Sequence, residues 1–150
     1  MIVSAVLSTL HLLTLALGLG AVFLRGRALA RPLDAAGWKR LLAADSAWGA
    51  AAVSWIVTGL ARVFYGGKGP YFYAHNGFFW TKLGLFALVF LLELAPMTTF
   101  VHARIAQRRR APLPAFPVRA YRVINIVELV LVVTIVFCAA LMARAVWMFE

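Results

Sequence analysis

Residues 78–101 read FFWTKLGLFALVFLLELAPMTTFV. The apolar run is unbroken rather than alternating, which selects helix over strand. It is long enough to cross a hydrocarbon core of ~30 Å, a distance that takes about 20 helical residues. Backbone groups left unpaired in lipid permit only helices or closed barrels. Yet Lys82 and Glu93 sit inside the run. A charge at bilayer depth costs at least ~2.5 kcal/mol unless it faces a bundle interior or a partner. The stretch therefore fixes the fold as membrane-spanning helix and marks its polar residues as the place to look for function.

Three more stretches repeat the pattern. Ile2–Leu24 carries His11, Leu41–Phe64 carries Asp45, and Ala120–Val146 carries Asn125 and Glu128. The chain is 150 residues long and 64% hydrophobic, well above the half expected of a soluble domain. The expectation is a single all-α domain over residues 1–150, an antiparallel bundle of four transmembrane helices. The helix before Leu24 has its basic residues after it, so it reads as an uncleaved first span and not as a removable signal peptide.

The net charge of +10 is distributed by topology. Arg25, Arg27, Arg31, Lys39 and Arg40 fall between spans 1 and 2. Arg104, Arg108, Arg109, Arg110, Arg119 and Arg122 fall between spans 3 and 4. Only Arg62, Lys68, Lys82 and Arg144 fall on the other side. The positive-inside rule puts both basic connectors in the cytoplasm and both termini outside. The location expected is a bacterial inner membrane. Anionic lipid is the natural partner of such loops, each charge gaining about 1 kcal/mol near the surface. Nucleic acid is not indicated.

The first connector, around Pro32–Trp38, has the residues of a short interfacial helix. Glycines and a proline in Tyr65-Gly66-Gly67-Lys68-Gly69-Pro70 set a turn, and the aromatics through Trp80 suit an interface belt or the entrance to a pocket for a flat ligand. Gly66-Gly67-Lys68 lacks the spacing and context of a phosphate loop. Pro96 should kink the third span. Cys138 is the single cysteine, so no intrachain disulfide or cysteine-based metal site exists. No zinc spacing and no Ser/His/Asp set are present.

Rise per residue sorts the polar groups into two layers. An outer, cationic layer holds His11, Arg62 and Lys82. An inner layer holds Asp45, Glu93, Asn125 and Glu128, with Arg122 as the expected cation. Helical phase gives each span one polar face: Ser4, Ser8, His11, Leu15 and Gly18 on the first, and Asp45, Trp48, Ala52, Trp55, Gly59 and Arg62 on the second. Arg122, Asn125 and Glu128 step by three on the fourth. Glu93 has no evident cation at its depth, which marks it for proton transfer, with Asp45, Glu128 and Lys82 as further catalytic candidates. Carboxylates at depth otherwise pair to hold helices together. His11 is either a buried, hydrogen-bonded histidine or an axial metal ligand to haem iron. Arg62, Lys82 and Asn125 are the accompanying cofactor-binding candidates, with the two cations suited to carboxylates such as tetrapyrrole propionates. His102 is too far along the membrane normal to share an iron with His11, and His75 lies on a loop.

The segments Ala44-Asp45 through Arg62, Phe64–Gly69, Asn76 with Phe79 and Lys82, and Leu91-Leu92-Glu93 to Pro96-Met97 resemble a family of small bacterial membrane proteins of unknown function. The chain is also distantly similar to the four-helix CopD-like group, which includes HemJ-type protoporphyrinogen oxidases. Leu10-His11-Leu12-Leu13 with Arg27, Lys82-Leu83 after Trp80, and Arg122 with Asn125 carry that likeness. A histidine near the matched lysine is replaced here by Trp80, and an expected proline after Asn125 is missing. The resemblance implies haem b at His11 and membrane oxidoreductase chemistry with quinone as acceptor. Two other classes stay open: a non-catalytic small subunit or assembly factor of a membrane complex, and a small transporter or copper-import protein that would function as a homo-oligomer.

Overall fold

The computed structural model describes residues 2–149. Four helices, α1 (Ile2–Leu29), α2 (Ala35–Tyr65), α4 (Gly77–Arg109) and α5 (Val118–Ala143), are long and apolar enough to cross a membrane. A short α3 (Gly69–Ala74) lies between α2 and α4, with Pro70 in its first turn. No strand forms among the described residues. The four-helix membrane bundle expected from the sequence is the fold observed.

The helices run past the apolar stretches at the basic end. α1 continues through Arg25 and Arg27 to Leu29. α2 starts at Ala35, where the Asp34 carboxylate accepts a hydrogen bond from the Gly37 backbone N–H at 2.6 Å. That cap satisfies an otherwise orphan donor and fuses the expected interfacial turn onto α2. α4 runs through buried Pro96 without interruption. The Tyr121 hydroxyl donates to the Ala95 carbonyl beside it. α5 stops at Ala143, short of Val146. Ala145 and Trp147 adopt positive φ, and the chain turns so that Gly77 N–H bonds Trp147 O and Phe149 N–H bonds His75 O. The segment after α5 thus straps across the α3–α4 junction.

α1 packs chiefly on α2, α4 on α5, and α1 also on α5; of the long helices that neighbour one another, α2 and α4 touch least. The α1–α2 seam is antiparallel and regular. Ser4 Oγ donates to Gly66 O, and His11 lies against Thr58 and Gly59. Gly18 lies against Trp48 and Ala51, and Arg25 meets Asp45. The α1 residues of the seam recur every seven positions, the repeat that keeps one stripe of a helix facing its neighbour. Small residues let the two backbones approach.

Two apolar clusters fill the interior. One, at the basic end, includes Leu41, Phe100 and Ala103. The other, further in, includes Val22, Trp48, Trp55, Val89 and Val132. Exposed Leu, Val, Ile and Phe cover the outside of all four long helices, as lipid requires.

Candidate functional site

The layer between the two apolar clusters is built around Arg25. Its side chain is 1% exposed and engages every other long helix. Nη1 donates to Glu93 Oε1 at 2.7 Å and Oε2 at 2.8 Å on α4, and approaches Asp45 Oδ1 of α2 at 3.4 Å. Nη2 pairs with Glu128 Oε2 of α5. Nε donates to Asn125 Oδ1 at 2.9 Å. The Asn125 amide in turn donates to Val22 O at 3.1 Å. A methyl group on Gly26 would stand 2.6 Å from that amide nitrogen, so glycine is what admits Asn125. Arg104 is the second cation, donating to Asp45 Oδ2 at 2.6 Å and to Leu42 O and Ser46 Oγ. Trp48 Nε1 reaches Glu93 Oε2 at 3.3 Å.

Asp45, Glu93, Asn125 and Glu128 are therefore brought together as expected, but around a different cation. Arg25 was placed in a cytoplasmic connector by the end of the first apolar run; it is the centre of the bundle. Arg122, the expected partner, is exposed. Glu93 is not the acid without a cation, since both of its carboxylate oxygens lie within 2.8 Å of Arg25 Nη1. Three carboxylates face two guanidinium groups, and Glu128 Oε1 is buried with no hydrogen-bond partner among the described residues. Breaking such a pair by removing one member typically costs 3–5 kcal/mol.

The outer layer lies towards the aromatic end. His11 Nδ1 is 2.8 Å from Thr58 Oγ1. The single hydroxyl proton of Thr58 is directed at the carbonyls of Ser54 and Trp55. Thr58 therefore accepts from Nδ1–H, and in the neutral ring the lone pair resides on Nε2. Metal-ligating histidines are held in this way by their other nitrogen. The charges of Arg62 and Lys82 act on His11, and that of Arg62 on Lys82. Lys82 Nζ lies 5.1 Å from the Phe79 ring centroid and 5.8 Å from that of Tyr73. Neither Arg62 nor Lys82 forms an ion pair among the described residues. Trp55, 9% exposed and packed 5.8 Å from His11, has a buried indole N–H without an acceptor among the described residues. Trp55 was legible as a seam residue but not as part of this layer.

Lys82 and Glu93 share a face of α4 but are separated by about 16 Å of helix, so Lys82 does not join the carboxylates. Asn125, expected beside the cofactor, belongs to the Arg25 layer instead. His75 is turned away: its Nδ1 meets Tyr71 O and its ring stacks on Tyr71 at 3.9 Å. His102 is exposed. Among the described residues no group of three His, Cys, Asp or Glu is placed to hold a metal ion. The donor set of the outer layer fits the polar parts of a haem: an imidazole with a free Nε2 and unpaired cations for carboxylates. Space is tighter. A crevice of about 40 Å³ between α2 and α4 is lined by Trp48, Ala52, Phe86, Val89, Phe90 and Glu93. A macrocycle there would require these two helices, the least engaged of the neighbouring long pairs, to part.

The sequence profile of the family described as Predicted membrane protein (DUF2214) matches residues 3–146. The chain belongs to that family. No curated protein and no solved structure matches this DUF2214 chain. The likeness to the CopD-like group thus rests on the quoted residues alone. What holds without qualification is a membrane protein whose outer surface is in contact with lipid.

Proposed function

We propose that this DUF2214 protein binds an anionic tetrapyrrole, haem b first among them, in the outer layer, and serves membrane redox chemistry. One observation carries the reading. His11 packs beside Trp55 and feels the charges of Arg62 and Lys82, and no carboxylate among the described residues pairs with either cation. The buried Trp55 N–H has no acceptor among the described residues, and the three other side chains are half-buried. Buried donors are normally satisfied, and a ligand with carboxylates would answer both the donor and the cations.

In this reading His11 Nε2 is the iron ligand, with Thr58 fixing the ring. Arg62 and Lys82 take the propionates, and Tyr73 and Phe79 cover Lys82 from the aromatic end. A bound haem would supply one-electron transfer. The Arg25 layer holds the four helices in register. Its three carboxylates, set against two guanidinium groups, would let it hold one further proton.

The test is the absorption of the protein purified in detergent, before and after haem is added. A Soret band is expected, shifted or lost in His11→Ala and weakened in Arg62→Gln with Lys82→Gln. No band in either preparation removes the cofactor. A band unchanged in His11→Ala removes the ligand.

A further inference from the structure

A groove of about 430 Å³ runs along the outside of the bundle between α1 and α2, at the basic end. Apart from Leu24, its apolar lining is small: Ala21 and Ala28 from α1, Ala43, Ala44 and Ala47 from α2. Lipid makes no demand for small side chains on an outer face, and elsewhere these helices present Leu, Val and Ile there. Ala43 and Ala47 are exposed, so the trough exists because they are not larger. Arg27, Arg31 and Arg40 line the same groove. None of the three has an ion pair among the described residues, where Arg25 and Arg104 make all of the ion pairs. The nearest acid in sequence, Asp34, is committed to capping α2.

We propose that this groove is a binding site for one anionic phospholipid. One acyl chain lies on the alanines, and the headgroup phosphate meets Arg27, Arg31 and Arg40. The dimensions agree. Along α1 the groove runs from Ala21 to Ala28, seven residues or about 10 Å, with Arg31 just past the helix end at Leu29; that lies within one leaflet, half of a ~30 Å hydrocarbon core. The charges sit at the rim, where a phosphate is. Arginine suits phosphate through its planar set of donors. The site is separate from both layers of the interior and does not depend on the proposed haem.

The experiment is native mass spectrometry of delipidated protein in neutral detergent, with phosphatidylglycerol and phosphatidylcholine of identical chains. One phosphatidylglycerol per chain is expected to be retained in preference to phosphatidylcholine. Arg27→Gln, Arg31→Gln and Arg40→Gln together should weaken retention by roughly fivefold per arginine. Ala43→Leu with Ala47→Leu should weaken it with every charge intact. Arg108→Gln, Arg109→Gln and Arg110→Gln, on the other basic connector, should leave it unchanged; circular dichroism checks that each variant is folded. Equal retention of the two lipids overturns the proposal, as does equal loss from the Arg108–Arg110 variant. Displacement by inorganic phosphate, or no effect of filling the groove, also overturns it.

Discussion

Arg25 shows how charge count decides the outcome of a substitution. Among the described residues it is the one group that pairs with carboxylates from three other helices, and its donors point outward along the edges of a planar fork. Arg25→Gln should lower stability by about 3–5 kcal/mol, because it strands buried negative charge. Arg25→Lys should recover little, since an ammonium lacks the fork. Glu128→Gln should be much milder, because three carboxylates share two guanidinium groups and one is in surplus. Thermal unfolding in a fixed detergent ranks the three; a Glu128→Gln variant as unstable as Arg25→Gln would refute the charge count. The acids themselves were legible, since lipid makes any carboxylate conspicuous. Arg25 was not, because an arginine one residue beyond Leu24 has the same sequence appearance as a topogenic charge. Its signal was spacing: Ser4, His11 and Gly18 recur every seven residues, and the next position is Arg25.

At the scale of the elements, the existence of four helices followed from apolar length, while their ends followed from local chemistry that apolar length does not record. Asp34 moves the start of α2 to Ala35, and the strap after Ala143 ends α5 early. Asp34→Ala should therefore cost about 1 kcal/mol, read as a lowered unfolding midpoint. The α1–α2 seam makes a stronger claim. A Cβ on Gly18 would stand 3.3 Å from the Trp48 ring, tighter than ordinary contact. Gly18→Leu should force the helices apart at the register point between His11 and Arg25, at roughly 1–3 kcal/mol. Gly20→Leu, where a Cβ meets nothing within 4 Å, is the control and should leave the midpoint in place. Equal effects from the two would mean that the seam does not set the packing.

Across the whole molecule, charge ordered the ends of the helices but not their neighbours. Both basic connectors leave the same end of the bundle, so accessibility labelling of a cysteine placed near Arg109 should succeed only from the cytoplasmic side; labelling from outside would invert the topology. Which helices touch was not legible, because the polar face of a span marks the side that turns inward and not the neighbour that it meets. The resulting asymmetry is functional in consequence. α1 is locked to α2 and α4 to α5, whereas α2 and α4 meet only loosely, with the 40 Å³ crevice between them. If a tetrapyrrole reaches His11 from the bilayer, this is the seam that opens. Ala52 lines the crevice from α2, opposite Phe86 and Val89 of α4. Ala52→Phe should fill it and slow the growth of a Soret band after haem is added, by tenfold or more, while leaving His11 and Thr58 untouched. Phosphatidylglycerol retention in the distant α1–α2 groove should be unaffected, which separates a closed crevice from a misfolded bundle. Haem uptake at the original rate, with lipid retention intact, would show that the ligand does not pass between α2 and α4.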